Sequence, residues 1–301
     1  MKKNGFGYLF LLNTVILFST YEVVSKIIID RISPFQINFL RFFLGGLFLF
    51  LFSLIKRDYK VEKKHLKMLA VLGVINVVLS MNLLQLSLSM ENAKAALVAV
   101  IFSSNPIFVT LFSSVIEKEK IHTYKKAGLI LGLTGVMVMS INELSIDAVN
   151  ILSPVLALFS AVLYGLYTVF GRKVSKDIGS LKMNSYSFLI GSILLLPFLL
   201  LFKIPAFHIN PSITGHIIYL SVLTTGVGYL TYFIGLSIVG ASKGSMVFFL
   251  KPVLASIFAV IILKESVGIY FLLGTFLVVL GVTVIFYWED FMGWIKTAKD
   301  R

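Results

Sequence analysis

Apolar runs of about 18 residues or more recur along the whole chain of 301 residues, and that recurrence decides the class of fold. A helix rises about 1.5 Å per residue, so a run of about 20 residues crosses a hydrocarbon core about 30 Å thick. Ten runs can be marked, at 5–29, 35–55, 66–88, 95–116 and 126–141 in the first half, then 152–170, 183–202, 217–239, 242–263 and 266–288. The balance of residues agrees: 58% are hydrophobic and 14% charged, against about a quarter charged in a soluble domain. The expectation is an all-α integral membrane protein of ten transmembrane helices. The first run follows Lys2 and Lys3, as in a signal peptide, but it is too long and has no small-residue cleavage site, so it reads as a retained span.

The formal charge of +13 invites a nucleic-acid reading, but the basic residues sit in short loops and form no domain of their own. They set topology instead. With the N terminus in the cytoplasm, the inner segments hold 20 of the 27 Lys and Arg residues, including six in 56–67, four in 118–126 and four in 172–182. The outer loops hold Arg31, Lys94, Lys203 and Lys264. Basic residues stay preferentially inside, so both termini are expected in the cytoplasm and the protein in the cell (inner or plasma) membrane. No partner other than the lipid bilayer and a small-molecule substrate is expected, and the chain reads as a monomer.

Sliding the chain by 146 residues against itself superposes residues of informative type. Lys26 meets Arg172, Phe42 meets Phe188, Gly45 meets Gly191, and Pro106 meets Pro252. Further on Glu119 meets Glu265, Tyr124 meets Tyr270, and Gly128 and Gly135 meet Gly274 and Gly281. The expected organisation is therefore two five-helix repeats, 1–146 and 147–301. An odd number of spans per repeat inverts the second relative to the first, the arrangement associated with alternating access around a midplane site.

Several residues are costly at membrane depth. Pro106 and Pro252 interrupt the fourth and ninth helices, freeing the carbonyls of Phe102 and Phe248 for water, substrate or another partner. Lys251 stands near the midplane, where a charged Lys costs roughly 2.5 to 3.5 kcal/mol. It pairs with Glu22, faces a watery cavity, sheds its proton or holds an anionic group of a substrate. For Glu22 the readings are an ion pair with Arg41 or with Lys26, or contact with a substrate amine or a proton. Asn76, Ser80, Asn82 and Gln85 on helix 3, Tyr164 and Tyr167 on helix 6, and Thr224, Thr225, Tyr229 and Tyr232 on helix 8 either line a pocket or bind helix to helix. Gly128, Gly132, Gly135, Gly274 and Gly281 suit close packing of helices 5 and 10.

Signatures of other classes are missing. The chain has no Walker A sequence, no Gly-x-Ser-x-Gly, no His-Glu-x-x-His and no Cys, so neither ATP-driven pumping nor familiar hydrolysis has support. His65, His122, His208 and His216 fall in loops or at span ends, and no metal site or cofactor is expected. Carboxylates do not cluster near one membrane face, which argues against an intramembrane transferase.

Taken with their order and spacing, Lys26, Pro34, Arg41-Phe42, Ala95 to Pro106, Glu119, Gly128 to Gly135, Ala241, Pro252, Glu265 and Gly274 to Gly281 make a chain that resembles the drug/metabolite transporter superfamily, and its EamA-type members in particular. The resemblance covers nearly the whole chain. It implies a central cavity formed by helices 1, 3, 4, 6, 8 and 9, with helices 5 and 10 bracing the repeats. It further implies a secondary carrier, frequently an exporter of amino acids or related metabolites, with proton coupling as an option. The cavity positions it implies for substrate are Glu22, Asn76, Asn105, Tyr164, Tyr229 and Lys251. Members often carry Glu or a neutral residue before the helix 9 proline, where this chain has Lys251. The rival within transport is a carrier or flippase of an amphipathic or lipid-linked substrate, for which the 14% aromatic content speaks.

Overall fold

Every regular element of the computed structural model is helical; it describes residues 2–90, 93, 95–139, 141, 152–263 and 268–299, and among these there is no strand. Lys94, Lys264, Glu265, Arg301 and the expected start of the tenth span at Ser266 lie outside the described residues. Among the described residues seven helices are long and apolar enough to cross a membrane: α1 (Gly5–Arg31), α2 (Pro34–Ile55), α3 (Lys63–Ser89), α4 (Val98–Ile116), α6 (Leu152–Ile178), α7 (Ser180–Leu201) and α8 (Pro211–Val239). Between α4 and α6 lies α5 (Thr123–Met139); after α8 come α9, a broken rod over 241–263, and α10 (Ile269–Lys299).

Apolar length predicts the centres of these helices better than their ends. α6 runs on to Ile178, well past the apolar run that closes at 170, because Arg172, Lys173 and Lys176 continue the helix in a polar setting. Pro34 opens α2 and Pro211 opens the first turn of α8, where no partner for a backbone N–H is needed, whereas Pro197 lies inside α7. Gly179 (φ +90°) joins α6 directly to α7, and Gly240 (φ +107°) joins α8 to α9, backbone angles that a side chain would strain.

The halves interlock rather than sit side by side. α1 packs on α8 and α9, α2 on α7 and α8, α3 on α6 and α7, and α4 on α6. At the far side α5 lies along α10. A Cβ on Gly281 would stand 2.8 Å from the Gly128 carbonyl oxygen, and one on Gly135 would stand 2.6 Å from that of Gly274, so glycine lets these two backbones touch. Hydroxyls bind the rods where apolar packing gives no directional hold. Ser80 and Ser160 each donate to the other's carbonyl, at 2.9 and 2.7 Å, and Ser87 and Ser153 repeat the exchange at 2.7 and 2.9 Å. Thr14 meets Thr231 at 2.8 Å across the α1–α8 contact.

The distribution of side chains is that of a chain solvated by lipid. Ile55, Val115 and Leu201 are among many large apolar residues facing outward, while Asn38, Asn76, Gln85, Asn105 and Asn184 are fully buried. In water such an apolar exterior is a liability, whereas lipid tails accept it at no cost.

Candidate functional site

Among the described residues five helices lose regular α geometry partway along their length, beside one cavity. α1 breaks between Ser19 and Tyr21, where the Thr20 hydroxyl donates back to the Leu17 carbonyl at 2.7 Å. α3 widens into a π-helical stretch at Val74–Ser80, and α8 does so at Tyr219–Val227. α4 breaks at Ser103 and Ser104 and restarts at Asn105. α9 passes through a 3₁₀ turn at Met246–Phe249 and restarts at Leu250. Pro106 and Pro252 each fall in the first turn of the restarted segment, so their missing N–H removes no interior bond. Irregular backbone at membrane depth is tolerated where protein buries it or where it borders a cavity, and π-helical stretches concentrate at functional sites.

The breaks aim charged side chains inward. Lys251 and Glu22 are 2% and 3% exposed at their side chains, and Lys251 Nζ donates to Glu22 Oε1. Lys251 Nζ also stands 5.0 Å from the ring centre of Phe102 and 5.8 Å from that of Tyr21. Arg41, 2% exposed, is the third charge of the group. Its Cζ lies 4.4 Å from the centre of Tyr21 and 4.5 Å from that of Phe42, and its Nε donates to Asn38 Oδ1 at 3.3 Å. Asn38 is fixed in turn by donating to the Val77 carbonyl in the π-helical stretch of α3 (2.8 Å) and to Asn82 Oδ1 (2.9 Å).

An aromatic cluster fills the space beside these charges. Tyr164 lies 5.2 Å from Phe102, 5.5 Å from Phe248 and 6.2 Å from Tyr229 between ring centres, and Phe18 lies 5.0 Å from Tyr229. A cavity of about 20 Å³ remains between them, room for about one water molecule. Its wall is made by Tyr21, Arg41, Tyr164, Thr224, Tyr229 and Lys251, with Phe18, Met81, Leu84, Phe102 and Phe248 as the apolar part. That volume is too small to hold a metabolite as the side chains stand.

Of the positions marked in the sequence, Tyr164, Thr224, Tyr229 and Lys251 line the cavity, and Glu22 stands behind Lys251. The ion pair expected between Glu22 and Arg41 does not form. Glu22 takes Lys251, while the planar guanidinium of Arg41 is occupied by two aromatic rings and Asn38. Asn76 and Asn105 lie outside the cavity wall. Asn105 Nδ2 donates to the Phe102 carbonyl at 2.9 Å, so the side chain beside the proline satisfies the carbonyl at the helix break. Asn76 is buried with neither polar atom partnered. Sequence reasoning missed Tyr21, Phe18, Phe102, Met81, Leu84 and Phe248 as wall residues. Arg41, which the sequence offers as an ion-pair partner of Glu22, also stands in the wall, and an Arg inside an apolar span is the signal that points there. Among the described residues no three His, Asp or Glu side chains gather as a metal site.

One further charged cluster lies toward the other end of the rods. Arg172 on α6 grips Glu117 at the foot of α4 with Nη1 at 2.8 and 2.6 Å from its two oxygens, and its Nε donates to the Leu236 carbonyl of α8 at 2.7 Å.

Long apolar helices that break around a buried charged cavity make this a multi-span membrane protein. The chain belongs to the EamA-like transporter family, whose sequence profile matches it twice, over residues 5–141 and 152–287. Among its relatives, an uncharacterized transporter of Clostridium kluyveri is 31% identical over 293 residues, covering 93% of this chain and 92% of its own. The uncharacterized transporter YoaV of Bacillus subtilis is 30% identical, covering 86% and 89%. A solved crystal structure superposes with a TM-score of 0.78 over 95% of this chain and 98% of its own at 18% identity, a likeness of fold.

Proposed function

We propose that the protein is a secondary carrier of a small carboxylate-bearing metabolite, such as an amino acid, working by alternating access in the plasma membrane. The observation that carries this reading is Lys251, a buried cation in the wall of a cavity bounded by broken helices from both halves of the chain. A cation at this depth needs a counter-charge, and in this structure Glu22 supplies it. A substrate carboxylate replaces Glu22 at Lys251, and Glu22 is then left to take an amine or a proton. The exchange of partners ties substrate binding to movement of α1 against α9. Proton uptake at Glu22 supplies the coupling, and export is the direction the reading favours.

The protein acts as a monomer of ten spans with both termini in the cytoplasm, arranged as two inverted repeats. Support for the repeats comes from the paired irregularities: π-helical stretches in α3 and α8, and breaks just before Pro106 and Pro252. The two matches to the family profile point the same way.

Thermal stability of the purified protein against anionic, zwitterionic and cationic metabolites tests the reading, with Lys251→Ala alongside. A ligand at about 100 times its dissociation constant stabilises the folded state by roughly 2.7 kcal/mol. Stabilisation by carboxylates that Lys251→Ala abolishes is the expected result. Stabilisation that ignores the substitution, or that comes only from cations or lipids, sinks the reading and favours a carrier of amphipathic or lipid-linked compounds.

A further inference from the structure

The charges in the cavity wall are unevenly shared. Arg41 and Lys251 both line the cavity, whereas Glu22, the one carboxylate of the cluster, does not. At formal charges the group of three carries one positive charge in excess. Both cations stand against the same ring, that of Tyr21, at 4.4 and 5.8 Å from its centre, so both lie within reach of one small ligand.

Lys251 has its counter-ion and Arg41 does not. Two rings lie against the Arg41 guanidinium, and its Nε is turned to Asn38. Its Nη2 is buried and meets no acceptor. A guanidinium in this state keeps its Nη2 donors unspent, and the terminal nitrogens of a guanidinium suit the oxygens of a carboxylate. Asn38, which helps aim it, is itself fixed on both sides by α3. Beyond the two cations the wall is mostly aromatic.

We propose that Arg41 is the residue that reads the substrate's carboxylate, and that the substrate is a net anion with an apolar or aromatic body rather than a neutral zwitterion. This rests on the reading of the cavity as a carboxylate site and makes it narrower. The excess positive charge is neutralised by a monoanion and not by a zwitterion, whose ammonium meets no carboxylate among the wall residues; of the two roles open to Glu22, the proton then stands and the amine falls. Lys251, held by Glu22 until the pair opens, is the second contact.

Three probes of one shape separate the possibilities: 3-phenylpropionate, phenylalanine and phenethylamine, an anion, a zwitterion and a cation. Their binding is read by thermal stability of the full-length protein in detergent, for wild type, Arg41→Lys, Arg41→Gln and Lys251→Ala. In wild type 3-phenylpropionate should bind at least about tenfold more tightly than phenylalanine, and phenethylamine should not bind. Arg41→Gln should weaken 3-phenylpropionate about tenfold or more, the effect of losing a charged hydrogen-bond pair, and Arg41→Lys should restore only part of it. Phenylalanine binding as tightly as 3-phenylpropionate in wild type overturns the inference without any variant. Binding of 3-phenylpropionate that Lys251→Ala abolishes and Arg41→Gln leaves intact also overturns it, while the carboxylate reading stands. If no probe stabilises wild type, both fall.

Discussion

Replacing Glu22 with Gln keeps the shape of the side chain and leaves Lys251 with no counter-charge. The cost follows from burial: both side chains are almost wholly enclosed, and Lys251 is cut off from bulk solvent. Removing one member of a buried pair costs about 3 to 5 kcal/mol in proteins, and an unpaired Lys at membrane centre costs about 2.5 to 3.5 kcal/mol on the insertion scale. Glu22→Gln should therefore destabilise by about 3 kcal/mol. Lys251→Met, which strands the carboxylate, should cost a similar amount. The double variant leaves no charge behind and should lose only about 1 kcal/mol, because a buried pair replaced by neutral groups of similar size is often neutral. The cycle then gives a coupling of about 5 kcal/mol, read by reversible unfolding in mixed micelles. Losses that add to within about 0.5 kcal/mol would show that the two residues do not depend on each other and would refute the pairing.

Arg172→Lys keeps a charge to meet Glu117 but has no second nitrogen to donate to the Leu236 carbonyl at the same time; unfolding should become easier by about 1 kcal/mol, and an unchanged stability would show that bond to be idle. Gly281→Leu drives a side chain into the Gly128 carbonyl and the Gly132 nitrogen, each 2.8 Å from the position of a Cβ, so the α5–α10 contact should open and the protein should elute as an aggregate or an expanded particle. Ser80→Ala, Ser160→Ala and the double variant test the hydroxyl exchange between α3 and α6: each single change should cost about 1 kcal/mol, and the pair less than the sum.

Much of this was legible in the sequence because lipid imposes a simple rule, that a span must be apolar for about 20 residues. That rule placed α1 to α4 and α6 to α8 to within a few residues except where a polar extension carries a helix past the bilayer, as at Arg172 to Ile178. The breaks in α4 and α9 were legible through Pro106 and Pro252. Those in α3 and α8 were not, since neither Val74–Ser80 nor Tyr219–Val227 contains a proline and a π-helical stretch has no compositional mark. Within the site, the price of a buried charge singled out Lys251 and Glu22. The choice of partner depended on a third dimension: Arg41 reaches Asn38 on its own helix and the rings of Tyr21 and Phe42, contacts that spacing along the chain does not rank. Asn105 misled for the opposite reason, because a side chain that bonds three residues back looks the same in sequence as one that reaches a ligand.

The most direct test of the central claim is counterflow in liposomes reconstituted with the purified protein. Vesicles preloaded with unlabelled 3-phenylpropionate should draw in the labelled compound saturably and transiently above equilibrium, and vesicles carrying Lys251→Ala should not. Entry that is unsaturable, or equal with and without Lys251, would contradict a carrier that exposes a carboxylate site at Lys251 alternately to the two sides of the membrane.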